Sequence, residues 1–358
     1  MRKIIDIVLI LYVSVGTACS LRRAESIPIE ILTATPIVEI SAMNPSIAKI
    51  PISLINVCSL DDIKNIYLLD TYDHRIMKYD QKGVFQVQIG GIGQEKAYLF
   101  YPIGLYVSNG LLYVLNDGGR EIKIFSTDGE FRSSFRIDKA WSSNSICVIG
   151  DLIYVNVIEK KQPTENKRCL ISVYSKDGQL IRTMGEIVKC NSLIGYSVFN
   201  QIIIAAADSR LFWAFVNIPL IGREDLIKIN GYDIFDLKEL KLPEITAKVE
   251  RIKLKGLDTP ETIKPDTELK IKYINYCAGF GVDRKMQMYY VIREYPDGPS
   301  QSDIKCHLLV IEKSGKIEKK LILQHEGENL IVSHLLFGPG DSRYGLGKIK
   351  GKILLFTF

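Results

Sequence analysis

Beyond residue 50 the apolar positions fall in short runs that alternate with polar ones, and turn residues separate the runs. One group reads Gly104-Leu105-Tyr106-Val107, then Leu111 to Asn116, then Glu121 to Phe125, then Glu130 to Phe135. Asn109-Gly110 parts the first two runs and Asp128-Gly129 the last two. A period of two predicts strands with one face against a core, and Asn-Gly or Asp-Gly between such runs predicts a hairpin. The i, i+3, i+4 spacing of a helical repeat is missing, so the pattern predicts an all-β chain.

The same order recurs. Upstream lie Ile66 to Asp70, Arg75 to Asp80, Lys82-Gly83 and Val84 to Ile89; downstream lie Leu152 to Val155, Leu170 to Tyr174, Asp177-Gly178 and Gln179 to Arg182. The turn glycines Gly83, Gly129 and Gly178 are 46 and 49 residues apart. A repeat of roughly 40–50 residues with four strands per unit is the mark of a β-propeller blade. One four-stranded sheet cannot cover both its faces. Sheets set radially around an axis cover one another, and closing the ring protects most edges.

Gly90-Gly91-Ile92-Gly93-Gln94 followed by Tyr101-Pro102-Ile103-Gly104-Leu105 resembles the blade junction of NHL-repeat propellers. Asn65 to Thr71 with His74 to Asp80 is similar to the preceding half of that repeat, with His74 where Asn is common. The resemblance is clear over residues 52–185, fair over 273–325 and weak elsewhere. It implies a six-bladed propeller of the bacterial lipoprotein type and says little about chemistry. Blades are expected at 52–92, 103–137, 143–184, 193–230 and 273–325, with a sixth after 329. That last segment is too short for four strands. The unassigned β-like runs Ile27 to Leu32 and Pro36 to Ile40 are therefore expected to complete it and close the ring. Residues 231–272 are Lys-rich and interrupted by Pro260 and Pro265; they are read as an insertion, a seventh blade being the alternative.

Composition narrows the class. With 47% apolar and 24% charged residues the chain is neither disordered nor collagen-like. Its formal charge of +5 is a mild excess, so nucleic acid is not an expected partner. The first residues carry an address. Met1-Arg2-Lys3, an apolar run over Ile7 to Val15 and the small residues Gly16-Thr17-Ala18 have the form of a secretory signal over residues 1–18. Cys19 at the cleavage point resembles the lipidated cysteine of bacterial lipoproteins, although Asp6 in the apolar region and Gly16 depart from that pattern. This reading makes residues 19–50 an anchor tether plus ring-closing strands, and places the protein in the bacterial cell envelope. Ordinary secretion is the alternative. Of the other six cysteines, several lie in strand-like runs and read as small core residues. Cys169 and Cys190 are a candidate disulfide in an oxidising compartment.

No reactive constellation stands out. Asp117, Asp151 and Asp283, near strand turns, are the candidate metal ligands, with calcium the suited ion and no cofactor the default. Aspartate at such turns more commonly holds backbone N–H groups. The aromatic residues Tyr98, Phe100, Tyr101, Trp141 and Tyr295 fall in loops, where exposed rings bind sugars or grip a protein. The function expected is a non-catalytic binding or interaction platform for a protein or glycan at an end face of the propeller. A lipid joins it to the membrane, and the chain itself is a monomer. The alternative is a channel-metal lyase or hydrolase of the six-bladed type.

Overall fold

A computed structural model describes residues 27–39, 55–91, 96–137, 140–159, 168–188, 193–227, 232–237, 277–294, 305–337 and 342–358. Two strands open it, β1 (Ile29–Thr33) and β2 (Thr35–Glu39). Blade one is β3 (Ile55–Leu60), β4 (Ile66–Asp70), β5 (Arg75–Tyr79) and β6 (Phe85–Gly90). Blade two is β7 (Gly104–Ser108), β8 (Leu111–Asn116), β9 (Glu121–Ser126) and β10 (Phe131–Arg136). Blade three is β11 (Ala140–Ile149), β12 (Leu152–Glu159), β13 (Arg168–Ser175) and β14 (Leu180–Glu186). A short helix, α1 (Leu193–Phe199), leads to blade four: β15 (Ile202–Ala207), β16 (Arg210–Phe215), β17 (Leu220–Asp225) and β18 (Tyr232–Asp236). Blade five is β19 (Cys277–Val282), β20 (Met288–Glu294), β21 (Lys305–Ile311) and β22 (Ile317–His325), with the two-residue β23 (Glu328–Asn329) on its end. The chain finishes with β24 (Ile331–Phe337), β25 (Arg343–Ile349) and β26 (Lys352–Thr357).

Six antiparallel blades result, and the first strand of each lies beside the first strand of the next around the axis. The sixth blade has only three strands from the C-terminal part; β2 supplies its outermost strand, antiparallel to β26. β1 adds a fifth strand to blade five, parallel to β22. Between them Ala34 is buried, and its N–H donates to the Gln324 carbonyl at 2.7 Å. One extended N-terminal segment thus clasps two blades whose other strands lie near the opposite end of the sequence.

What holds the ring is a set of apolar clusters between blades. Ile66, Leu68 and Met77 of blade one meet Leu346, Ile353 and Leu355 of blade six, and the five other junctions each have their own cluster. The second strand of a blade supplies the wedge. Tyr67, Tyr113, Tyr154, Phe212 and Tyr289 follow Ile66, Leu112, Ile153, Leu211 and Met288 in turn, and all are essentially buried. Their neighbours face the other junction, as Ile66 and Leu68 do opposite Tyr67 and Leu69, so the second strands are buried on both faces.

The Gly turns also recur in three dimensions. Gly83, Gly129, Gly178 and Gly315 occupy the same hairpin between third and fourth strands, each with positive φ. In each hairpin the N–H groups close back on the residue three before, as in Gly178 to Ser175 at 3.1 Å. Three of these turns rest on the preceding blade: a Cβ at Gly129 would lie 3.1 Å from Ile89, one at Gly178 2.5 Å from the Phe135 ring, and one at Gly315 would meet Phe235. Glycine is required twice over here, by conformation and by contact.

Two expectations change. The stretch expected to start blade four at residue 193 forms α1, and the blade runs from Ile202 to Asp236 instead. Its outermost strand, β18, lies inside the stretch read as an insertion; residues 238–276 lie outside the described residues. An Asn-Gly turn signal, Asn230-Gly231, stands directly before β18, but Tyr232-Asp233-Ile234-Phe235-Asp236 was grouped with the Lys-rich sequence that follows it. Among the described residues no helix is long and apolar enough to cross a membrane.

Candidate functional site

Antiparallel blades sort the connections onto two ends. The links from first to second and from third to fourth strand lie at one end. Those from second to third strand, and from each blade to the next, lie at the other. The first end carries mostly tight turns such as Asn109-Gly110 and Gly150-Asp151. The second carries the longer connections, including α1 and residues 91–103.

At this second end, three connections from blades one and two knit together. The β8–β9 turn is a single 3-10 turn over Asp117–Gly119. Gly119, at φ +83°, packs so closely on blade three that a Cβ would lie 2.4 Å from the Ser143 backbone. Asn116 reaches back from the strand end: its Oδ1 accepts the Phe100 N–H at 2.7 Å and its Nδ2 donates to Glu121 at 2.7 Å. The N–H of Asp117 donates to the Phe100 carbonyl at 2.8 Å, and that of Gly118 to the Tyr101 carbonyl at 3.1 Å. From blade one, His74 Nδ1 accepts the Tyr101 N–H at 3.0 Å, so this nitrogen carries the lone pair and the ring proton sits on Nε2. Beneath, the buried Lys123 ammonium donates to the carbonyls of Lys96 and Tyr98.

The rings on this scaffold are open to solvent. Phe100 is 48% exposed, Tyr101 55% and Tyr72, in the same turn as His74, 69%. Tyr98 stacks on Phe100 with centroids 6.3 Å apart and planes 21° apart, and the His74 ring lies 5.8 Å from that of Phe100, tilted by 31°. His74, Tyr101 and Asp117 all take left-handed backbone at φ +54°, +47° and +51°. Such conformations cost about 1–3 kcal/mol each and persist where the surroundings over-determine them. Asp117 gathers two guanidinium groups, Arg120 at 2.6 Å and Arg136 at 3.3 Å. Asp70 and Asp73 share Arg75 at 3.2 and 2.6 Å in the neighbouring turn.

Among the residues expected from sequence, Tyr98, Phe100, Tyr101 and Asp117 meet here. Trp141 is the second residue of β11, at the same end. Tyr295, Cys19 and Cys190 lie outside the described residues. Tyr72 and Arg120, in turns, and Arg136, at the end of β10, were missed because single polar or exposed residues leave no periodic signal.

Asp151 and Asp283 sit at the opposite end, in turns between first and second strands, and do not meet Asp117. The Asp283 carboxylate accepts the N–H groups of Lys285 and Gln287 and the Tyr289 hydroxyl, at 2.9–3.1 Å. Asp61 does the same for Ile63, Asn65 and Tyr67 in blade one. These are turn caps. Asp151 is bound by Lys176 at 2.6 Å, and that hydrogen bond holds its carboxyl below the usual range. Among the described residues no three acidic, His or Cys side chains gather as a metal cage. Cys169 is buried on β13. Burial pushes the Cys147 thiol up to about 12 and raises those of Cys277 and Cys306, which makes all three poor nucleophiles. His307 is buried on β21.

No family model and no curated protein matches the sequence. Solved structures do. A Bacteroides fragilis protein assigned as exported is 12% identical with a TM-score of 0.53, covering 85% of this chain and 90% of its own. A gluconolactonase from Xanthomonas campestris is 13% identical with a TM-score of 0.49, over 84% of each chain. Virginiamycin B lyase from Staphylococcus aureus is 10% identical with a TM-score of 0.46, over 84% of this chain and 83% of that one. The likeness to the first of these, at a TM-score above 0.5, agrees with the propeller fold. It carries no activity across.

Proposed function

We propose that this chain is an exported propeller of the NHL-repeat type, lipid-anchored at Cys19 in the bacterial cell envelope, and that it works as a non-catalytic binding platform. Its working surface is the end of blades one and two that bears Tyr72, Phe100 and Tyr101, where a protein or glycan docks. The observation carrying this reading is the combination of exposed rings with a rigid, strained support. Phe100 and Tyr101 are about half exposed, yet their N–H groups donate to Asn116 and His74 and their carbonyls accept from Asp117 and Gly118, which fixes the backbone that presents them. A site held in shape before the ligand arrives loses less entropy on binding.

The alternative, a channel-metal lyase or hydrolase, needs oxygen ligands that converge. Asp117 lies at one end and Asp151 and Asp283 at the other, and all three carboxylates are engaged by protein donors. This favours the platform, which requires no cofactor.

Capture from detergent-solubilised envelopes tests the platform. Wild-type protein should retain a ligand that the Tyr72→Ala, Phe100→Ala, Tyr101→Ala triple variant loses at unchanged melting temperature. Equal retention by both proteins would refute it. Cys19→Ser should release the protein from membranes, and unchanged partition would refute the anchor.

A further inference from the structure

We infer that the rim of blade five around β1 is the surface this protein lays on the membrane, an inference that rests on the lipid anchor at Cys19 proposed above. Cys19 precedes Ile27 by eight residues, a stretch that spans at most about 29 Å. The chain enters the described fold at β1. Acyl chains on Cys19 therefore hold this edge of the ring, rather than another, close to the bilayer.

The edge so held has a surface that suits the contact. β1 is the outermost strand of blade five and pairs only with β22 among the described residues. Leu32 packs into the junction with blade six, so by strand alternation Ile29 and Ile31 stand on the other face. They are 52% and 65% exposed, and Ile322, in register with Ile31, is half-buried beside them. The open edge adds a second signal. Exposed edges are normally blunted by charge or proline. β2 carries Pro36, whereas the single charge of β1, Glu30, is tied to Lys319 at 3.4 Å. Ala34, in phase with Glu30 and Leu32, donates its N–H to the Gln324 carbonyl, so the backbone groups of Ile29, Ile31 and Thr33 point to the open edge. Unpaired backbone groups do not enter hydrocarbon. The contact thus lies at headgroup depth, where phosphate and water satisfy that edge while the isoleucine side chains reach the acyl boundary.

Exposed apolar side chains occur on other outer strands too, Leu180 and Ile181 on β14 among them. The tether does not lead there, for blade three is two places round the ring from blade five. Blade two is three places round, directly across. A rim contact at blade five presents Phe100 and Tyr101 on the side away from the bilayer, where a ligand has access.

The test uses lipidated protein in vesicles of phosphatidylcholine and phosphatidylglycerol, with Ile31→Trp read by quenching from acyl-brominated lipid. Once the signal of Trp141 and Trp213 is subtracted with the unsubstituted protein, the added indole should be quenched. Its depth should be about 5–10 Å into the headgroup and acyl boundary. Ile181→Trp should remain unquenched. Ile29→Trp is the second variant should Ile31→Trp fail to fold. With acyl groups on Cys19 verified by mass spectrometry, no quenching at either β1 position, or equal quenching at position 181, would overturn the inference and leave the anchor standing. Absence of those acyl groups would remove anchor and inference together. Blue-shifted Ile31→Trp emission without vesicles, in protein that sediments as a dimer, would give the edge to a second copy and overturn the inference as well.

Discussion

The junction between blades two and three can be perturbed at a single atom. Gly178 sits at φ +88° in the blade-three hairpin, and a Cβ there would lie 2.5 Å from Phe135 Cγ and 2.8 Å from Phe135 Cβ. Gly178→Ala therefore carries two costs. Left-handed backbone in a residue with a Cβ costs roughly 1–2 kcal/mol, and forcing a methyl into packed atoms adds roughly 1–3 kcal/mol. Gly110→Ala supplies the control, since Gly110 is also left-handed, at φ +71°, but has nothing within 4 Å of its Cβ. Denaturant unfolding should place Gly178→Ala about 2 kcal/mol below Gly110→Ala. In a Phe135→Ala background the excess should shrink, since the ring atoms go and only the Cβ at 2.8 Å stays, a coupling that a double-mutant cycle reads directly. Equal costs for the two glycine variants, or strict additivity with Phe135→Ala, would refute the claim that hairpin glycines lock one blade onto the next.

Further outcomes follow from the site and the core. Asp283→Ala should lower stability by roughly 1–3 kcal/mol through loss of the turn cap without changing bound calcium measured by elemental analysis; loss of stoichiometric metal would make it a ligand instead. The raised thiol of Cys147 gives a pH dependence of fixed sign. An unfolded thiol ionises near about 8.5, whereas the folded one stays protonated to about 12. The stabilisation it gives is fully present below the unfolded value and is lost as pH rises toward the folded one. Stability should therefore fall between pH 8.5 and 11, less steeply in Cys147→Ala, and identical slopes would contradict the buried-thiol assignment. His74→Ala should leave the Tyr101 N–H without its acceptor and raise amide exchange at Tyr101; unchanged protection there would show that His74 does not support the loop.

Much of the architecture was legible because it repeats. The Asp-Gly hairpins, the second-strand aromatics such as Tyr67 and Tyr113, and the Tyr101-Pro102 junction each mark one place in a blade. Ring closure was legible by subtraction, since the chain after residue 329 is short of a strand and Pro36 to Ile40 had none to join. That β1 would pair in parallel with blade five was not legible, because pairing partners distant in sequence leave no local trace. β18 was legible from Asn230-Gly231 directly before it but was grouped with the Lys-rich sequence after it, and α1 was lost because its apolar residues read equally well as a strand. At the site, the loop aromatics Phe100 and Tyr101 were legible by type and position. Their convergence with Arg120 and Arg136 was not, for it depends on which end of the ring each connection reaches.

The clasp of β1 and β2 is where the account is most exposed. A chain lacking residues 20–39 gives up the Ala34, Leu32 and Ile37 contacts and bares the β22 and β26 edges. Differential scanning calorimetry should find it melting roughly 5–10 °C lower. A synthetic peptide spanning residues 27–39 added in trans should restore most of the loss. A truncated chain that melts with the full-length one, or one the peptide leaves unchanged, would contradict a ring fastened by its own N-terminal strands.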